Sequence, residues 1–287
     1  MNILPRVVRT LAVLLTSLGL AMAQWQTPAS PAALSPAALS PAALSPDQLK
    51  IPGLVGYWAF DNCLADDLSG SQRTTFVTIS NLEIACNEGI VGKAYRFRGV
   101  EANDHLLVEN TRPLVLSAGY SINLWFRLQS NRSWNGDRQD TNFGTQVLIS
   151  KSSDRTGISL RLERERSDDL WYAYMSNGRC CDRQTNRLPA IKLGGGVKVG
   201  DWHMITSTFD PKRNARLYLD GKAFSSVKAS DYDLNPQTDK EPLTIAAESA
   251  GQWYPFNGDI DEVRVYNRPV SVVEIAVMFA QRNRRSK

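Results

Sequence analysis

Histidine and cysteine are scarce in this 287-residue sequence, and their scarcity excludes two kinds of metal protein. Two histidines are too few for a multi-histidine metal centre, and the absence of paired Cys-x-x-Cys motifs excludes zinc ribbons and zinc fingers. The formal net charge is only +4 and is spread along the chain, which argues against a dedicated nucleic-acid binder. Hydrophobic residues make up 43% of the sequence, enough to fill a folded core.

The N-terminus has the features of a secretory signal peptide, which we assign to residues 1–23. Arg6 and Arg9 precede an apolar run that is too short to span a membrane, and the segment ends in Ala21-Met22-Ala23. Cleavage after Ala23 would lower the net charge to about +2. We therefore expect an exported protein of the periplasm, cell envelope or extracellular space, without a transmembrane anchor after cleavage.

A proline-rich spacer follows the signal and covers residues 24–50. The motif Ser-Pro-Ala-Ala-Leu recurs in tandem from Ser30 to Leu44. Proline at every fifth position interrupts helices and removes backbone donors from sheets, so the segment is predicted to be extended and disordered. Residues 51–287 then form the predicted folded domain, with a basic tail at 282–287.

Export changes the expected state of the four cysteines, because thiols outside the cytosol tend to pair. The simplest arrangement joins Cys63 to Cys86 and places a vicinal bridge between Cys180 and Cys181. A crossed arrangement, in which Cys180 or Cys181 reaches the N-terminal pair, remains an alternative at this point.

Alternating hydrophobicity predicts an all-β fold for the region after Lys50. Apolar residues occupy every second position from Ile122 to Leu128 and again from Ile158 to Leu162, as in strands with one buried face. Asp220-Gly221 predicts a two-residue hairpin turn. One short C-terminal helix is predicted, because Ser271 and Glu274 have the spacing of a capping box. These elements indicate an antiparallel two-sheet β-sandwich.

Several segments resemble, in order and spacing, laminin-G-like and pentraxin-like jelly-roll domains of the concanavalin A-like lectin/glucanase superfamily. The resemblance extends over roughly residues 53–280 and rests on the following segments: 54–61, 67–70, 92–99, 104–108, 120–127, 202–205 and 258–268. It implies two packed antiparallel sheets with the first and last strands side by side. Members commonly bind glycans or proteins, often with a calcium ion.

The resemblance also suggests one structural calcium ion, held by carboxylates near the paired terminal strands. The candidate ligands are five aspartates: Asp61, Asp67, Asp104, Asp259 and Asp261. Calcium requires six to eight oxygen ligands. Arg98 occupies a position where many relatives carry an aspartate, so one oxygen ligand is missing. The alternative is that these aspartates cap turns or pair with arginines.

Catalytic patterns are weak by comparison. A glycoside hydrolase needs two carboxylates across a cleft, and Asp259-Ile260-Asp261-Glu262 lacks the final acid of the glucanase motif. Glu163 and Glu165 share a strand face, but the arginines between and beside them favour a solvated, salt-bridged strand end. His105 and His203 are expected to be structural.

Aromatic and arginine side chains favour a binding function. Aromatic rings can stack on sugars, and arginine can hold acidic groups with two hydrogen bonds. The candidate ligand-binding residues are Trp134, Arg138, Trp171, Tyr172, Trp253 and Tyr254. The sequence therefore favours a non-catalytic binding module for a glycan or a cell-envelope protein. The alternatives are a polysaccharide-active enzyme on the same fold and a structural subunit of an envelope assembly.

Overall fold

The computed structural model describes most of the chain between Ile51 and Arg284. The described residues are 51–71, 75–78, 86–109, 116, 118–134, 140–141, 144–152, 156–164, 171–179, 191–192, 197–210, 212, 214–228, 242–248, 251 and 253–284. The predicted signal peptide, the spacer, Arg138, Cys180, Cys181 and tail residues 285–287 lie outside these ranges.

The described residues form two antiparallel sheets and one α-helix, which confirms the predicted sandwich. Sheet I contains eight described strands: β1 (Leu54–Trp58), β3 (Cys86–Glu88), β4 (Lys93–Arg98), β6 (Tyr120–Leu128), β13 (Trp202–Phe209), β14 (Asn214–Leu219), β15 (Lys222–Lys228) and β17 (Asn257–Tyr266). Their order is β15-β14-β13-β6-β17-β4-β3, and β1 also pairs with β17. The first and last strands are therefore neighbours, as the resemblance implied.

Sheet II contains nine strands within the described residues. They are β2 (Thr75–Thr78), β5 (His105–Val108), β7 (Ser133–Trp134), β8 (Asp140–Thr141), β9 (Gly144–Ser152), β10 (Thr156–Arg164), β11 (Trp171–Arg179), β12 (Ile191–Lys192) and β16 (Leu243–Ile245). The main order is β12-β11-β10-β9-β16-β5-β2, and the short β7–β8 hairpin attaches to β9. Most short strands were not predicted, since two to four residues carry little periodicity.

The main hydrophobic core lies between the two sheets. Leu124 and Phe126 of β6 and Ile260 of β17 meet Ile149 of β9 and Leu160 of β10 in one buried cluster. Burial of each such side chain contributes about 1.5–3 kcal/mol to stability. The alternating pattern that predicted β6 and β10 therefore corresponds to a real inward-facing row on each strand.

Helix α1 (Val272–Ala280) covers the other face of sheet I. Ser271 and Glu274 form the predicted capping box, and Ile275 and Met278 are buried with Trp125 of β6. Phe279 stacks on Trp125 with ring centroids 5.5 Å apart. A second, smaller core thus fixes the helix to the sheet, and the outer face of sheet II has no equivalent helix among the described residues.

Two local predictions are confirmed. Asp220 and Gly221 both have positive φ, at 50° and 77°, and they connect β14 to β15 as a two-residue turn. Cys63 and Cys86 form a disulfide with Cα atoms 5.8 Å apart, so neither cysteine takes part in a crossed arrangement.

Across the described residues, no helix is long and apolar enough to cross a membrane.

Candidate ligand-binding face

A charged pair lies on the outer face of sheet II. Strand β10 directs Ile158, Leu160 and Leu162 into the core, so the alternating positions point away from it. Combined with the strand register, this alternation places the following described residues, among others, on the outer face: Thr145, Val147, Ser150, Ser152, Ser159, Arg161, Glu163, Tyr172, Tyr174 and Thr244.

Arg161 and Glu163 form an ion pair at the centre of this face. Arg161 Nε lies 3.1 Å from Glu163 Oε1, and the two side chains are only 12% and 14% exposed. The sequence indicated a salt-bridged strand end that is solvated. The salt bridge is present, but both partners are largely shielded from water, so their electrostatic interaction is stronger than that of a surface pair.

Aromatic side chains flank the pair on strand β11. Tyr174 lies directly opposite Arg161, and Tyr172 lies opposite Glu163. The two tyrosine rings are 6.4 Å apart between centroids. A polar pair beside phenolic rings can contact a ligand that has both hydroxyl groups and apolar C–H faces.

A second aromatic segment lies on the opposite side of the pair. Val147, the β9 neighbour of Arg161, donates its backbone N–H to the Tyr254 carbonyl oxygen at 2.9 Å. Trp253 forms a β-bridge with Glu248, and its ring centroid is 6.4 Å from that of Tyr254. The charged pair is thus bordered by tyrosines of β11 and by the Trp253–Tyr254 segment.

Glu248 adds a second carboxyl group near Arg161 and Glu163. Ser152 of the outer face donates a hydrogen bond to Glu248 Oε1 at 3.4 Å. Burial raises the pKa of Glu248 and the negative charge of Glu163 raises it further, whereas Arg161 lowers it. The site therefore contains one arginine and two carboxyl groups, and burial holds the pKa of one of them, Glu248, above its ordinary value.

Gly251 fixes the turn that carries Trp253. Its φ is +88°, and a Cβ atom at this position would lie 2.1 Å from the His105 ring. Asn103 Nδ2 donates to the Gly251 carbonyl oxygen at 2.8 Å, and His105 Nδ1 lies 2.9 Å from the Asn103 carbonyl oxygen. Only glycine combines this backbone conformation with this close contact to His105.

The six predicted ligand-binding residues do not all reach this face. Tyr172, Trp253 and Tyr254 border the charged pair. Trp171 is 5% exposed and belongs to the core between the sheets, where its Nε1 donates to Asn131 Oδ1 at 3.3 Å, so we do not include it in the site. Trp134 pairs with Asp140 and Thr145 through its backbone, and its side chain is not described.

Three of the five aspartates predicted to hold calcium are bound by donors of the protein in separate places. Asp259 is fully buried and accepts hydrogen bonds from Asn87, Arg96, Arg127 and Gln129. Asp104 is paired with Arg98, whose Nε lies 2.6 Å from Asp104 Oδ2. Arg98 occupies the position where many relatives carry an aspartate. Asp67 accepts from the backbone N–H groups of Tyr57 and Ser69. These three carboxylates thus do not form one site.

Asp61 and Asp261 lie in a different environment beside Glu262. Asp261 Oδ2 accepts from the backbone N–H groups of Ile90 and Val91, whereas its Oδ1 is buried without a hydrogen-bond partner among the described residues. Glu262 is paired with Arg264 and Tyr57. No group of three acidic, histidine or cysteine side chains in the described part of the chain is arranged to hold a metal ion, and the calcium ion stays a prediction.

Comparison with known proteins establishes the family. A laminin G-like family model of the concanavalin A-like lectin/glucanases superfamily matches residues 100–276, and the chain belongs to this superfamily. No curated protein matches the sequence.

Solved structures share the fold at low sequence identity. The binding domain of Paraclostridial Mosquitocidal Protein 1 is 16% identical with a TM-score of 0.59, over 81% of this chain and 52% of that one. The binding domain of Botulinum neurotoxin DC, in complex with rat synaptotagmin II, is 14% identical with a TM-score of 0.58, over 79% and 51%. This chain thus spans about half the length of each toxin binding domain.

A third structure matches over nearly its full length. Domain 4 of AbnA, a GH43 extracellular arabinanase from Geobacillus stearothermophilus, was solved in complex with arabinotriose. It is 18% identical with a TM-score of 0.54, and the match covers 79% of this chain and 98% of that domain. Identities this low establish the fold alone.

Glu248 was missed in the sequence, and Arg161 was noted only as part of a strand pattern. Glu248 follows strand β16 by three residues, and the sequence there has no periodicity to indicate where its side chain points. The available signal was its closeness in sequence to Trp253 and Tyr254, two aromatic residues already chosen as candidates.

Proposed function

We propose that this chain is an exported, non-catalytic binding module that recognises a glycan through the outer face of sheet II. The observation that carries the proposal is the Arg161–Glu163 ion pair, bordered by Tyr172 and Tyr174 on one side and by the Trp253–Tyr254 segment on the other. Arginine donates and glutamate accepts hydrogen bonds. The half-buried rings of Tyr172, Trp253 and Tyr254 offer surfaces for sugar C–H groups, whereas Tyr174 is buried.

The similar structures support a binding role. One was solved with a bound oligosaccharide, arabinotriose, and another as a toxin binding domain in complex with a protein. Glycans and surface proteins are therefore the partner classes to examine first. The sequence of the first 23 residues supports export, and the proline-rich spacer would separate the domain from an envelope attachment.

Binding to a glycan array, followed by calorimetry with each positive oligosaccharide, tests the proposal. Tyr172→Ala should weaken binding by about tenfold, because it removes one aromatic contact worth about 1–1.5 kcal/mol. The matched control is Phe224→Ala, since Phe224 is an aromatic residue on β15 of sheet I and is 49% exposed. Equal effects of the two substitutions, or no binding to any glycan, would reject the proposed face.

A polysaccharide-active enzyme is the second candidate, and it is favoured by one observation. Glu248 has a raised pKa and is close enough to Glu163 to be influenced by its charge, as required of a general acid beside an ionised carboxylate. Release of reducing ends from a bound polysaccharide, abolished in Glu248→Gln with binding retained, would identify an enzyme. Binding without release supports the module.

A further inference from the structure

Three arginines lie close together on the outer face of sheet I. Asp259 of β17 is directly opposite Arg96 of β4 on one side and Arg127 of β6 on the other. Arg127 is in turn opposite Trp202 of β13, and its Cζ lies 4.9 Å from the centroid of that ring. Arg98 is the next residue of β4 on the same face, about 7 Å along the strand from Arg96. Residues that alternate with these belong to the core between the sheets. We call the three arginines the arginine cluster.

A buried carboxylate holds one edge of each guanidinium group in the cluster. Arg96 binds Asp259 through Nε and Nη2, and its Nη2 lies 3.0 Å from Asp259 Oδ2. Nε and Nη2 of Arg127 both lie 2.7 Å from the same oxygen. Arg98 binds Asp104 in the same manner, with Nε at 2.6 Å and Nη2 at 2.9 Å. Because a guanidinium group is planar, the remaining nitrogen of each arginine, Nη1, points away from the carboxylate.

The three Nη1 atoms are free to bind a ligand. None of them has a hydrogen-bond partner among the described residues. None is a buried atom, and the side chains of Arg96, Arg98 and Arg127 are 26%, 33% and 22% exposed. Two carboxylates also face three guanidinium groups, so one positive charge of the cluster is not compensated by these partners. The cluster thus presents fixed, charged donors, which lose little conformational entropy on binding.

Two side-chain amides beside the cluster provide hydrogen-bond acceptors. Gln129 donates from its Nε2 to Asp259 at 3.0 Å, and Asn257 donates from its Nδ2 to Ser130 Oγ at 3.0 Å. The amide oxygens of Gln129 and Asn257 have no partner in the described part of the chain and are not buried. Asn257 is directly opposite Arg98, so donors and acceptors lie about one strand spacing apart, roughly 5 Å.

We propose that the arginine cluster is a second ligand site, which binds an acidic saccharide through its carboxylate group. The carboxylate accepts charged hydrogen bonds from the Nη1 atoms, and neighbouring sugar hydroxyls donate to the amide oxygens of Gln129 and Asn257. One uncompensated positive charge matches a single acidic group better than a polyanion such as a nucleic acid, which requires many phosphate contacts. The site lies on sheet I and does not depend on the face of sheet II that carries the proposed function.

An NMR titration of the full-length chain tests the site without any substitution. The probes are trigalacturonate, a hyaluronan tetrasaccharide and sialyllactose, each compared with its carboxyl-reduced, neutral counterpart. We expect at least one acidic probe to shift the Nε–H signals of Arg96, Arg98 and Arg127, and its neutral counterpart to leave them unchanged. Shifts confined to other arginines, such as Arg161 of sheet II, would overturn this proposal and support the proposed face instead. No shift with any acidic probe would overturn the proposal alone.

A charge-conserving variant measures the contribution of the Nη1 donors. In Arg96→Lys/Arg98→Lys, lysine keeps the positive charge and can still pair with Asp259 and Asp104, but it has no second edge of donors. Affinity for the bound acidic probe should fall at least about tenfold, because charged hydrogen bonds are lost. Arg216→Lys is the matched control, since Arg216 is an exposed arginine of β14 in the same sheet. Equal losses in the two variants would overturn the proposal. If the double variant does not fold, the titration of the unmodified chain decides.

Discussion

Arg161 Nε lies 3.1 Å from Glu163 Oε1 on the outer face of sheet II. Both residues belong to a strand whose other face is part of the core, so their positions are set by packing as well as by their mutual attraction. A flexible surface pair would lose most of this interaction to solvent and side-chain entropy. Here the interaction depends on the architecture of the sandwich.

Removal of Arg161 should therefore reduce stability in a pH-dependent way. Glu248 has a raised pKa that Arg161 partly offsets, so Arg161→Gln should raise this pKa further. A folded-state pKa above the unfolded one means that stability is lost as pH rises through the folded value. We expect a loss of about 1–3 kcal/mol at pH 7.5 and a smaller loss at pH 4.5, measured by urea unfolding. An equal loss at both pH values would contradict the coupling.

Asp261 should control the pH dependence of stability between pH 4 and pH 8. Burial and the charge of Glu262 raise its pKa to about 8, so the folded state keeps a proton that the unfolded state releases near pH 4. Stability should fall as pH rises across this range. Asp261→Asn should remove this pH dependence. The free energy of unfolding of the variant should equal that of the original chain near pH 4 and exceed it at pH 8.

The same variant tests for calcium. Asp67, Asp104 and Asp259 are each bound by donors of the protein, so calcium should leave the melting temperature of the original chain unchanged. A rise in melting temperature with calcium that disappears in Asp261→Asn would show instead that the partnerless Oδ1 of Asp261 is a metal ligand.

Gly251 should affect ligand binding through the turn that carries Trp253. Gly251→Ala combines a positive φ with a clash against His105, so it should displace the turn and Trp253 with it. Loss of this aromatic contact should weaken glycan binding by about tenfold. Gly70→Ala is the matched control, because Gly70 has φ +84° and no atom within 4 Å of the added Cβ. Both share the backbone strain of about 1 kcal/mol. Equal glycan affinities in the two variants would show that the turn does not contribute to binding.

The Cys63–Cys86 disulfide should contribute about 3 kcal/mol to stability, because it closes a loop with a sequence separation of 23 residues. The double variant Cys63→Ser/Cys86→Ser should lower the midpoint of denaturant unfolding accordingly. Added reductant should produce the same decrease in the original chain. A reductant effect of equal size in the double variant would assign the stabilisation to Cys180 and Cys181.

The fold could be predicted from local sequence patterns. Which residues of each strand face the site could not. Alternation identified β6 and β10, and the Ser271 and Glu274 spacing identified helix α1, because these signals depend on neighbours in sequence. In the segment Trp171-Tyr172-Ala173-Tyr174, aromatic residues occupy both sets of alternating positions, so alternation alone does not say which ring faces the core. Packing against sheet I determines that Trp171 faces inward. Asp259 likewise appeared available for calcium because Arg96 and Arg127 are distant in sequence.

The pairing of the first and last strands determines how the domain would respond to force. Leu54 lies opposite Tyr266, so the chain enters β1 and leaves β17 at the same end of sheet I. Tension between these two points would act perpendicular to the strands at one end. It would therefore separate β1 from β17 one residue pair at a time. The first bonds to bear the load would be those from Arg268 to the Pro52 carbonyl and from Asn267 to the Gly53 carbonyl. A domain tethered through residues before β1 would thus begin to open far in sequence from Arg161 and Glu163.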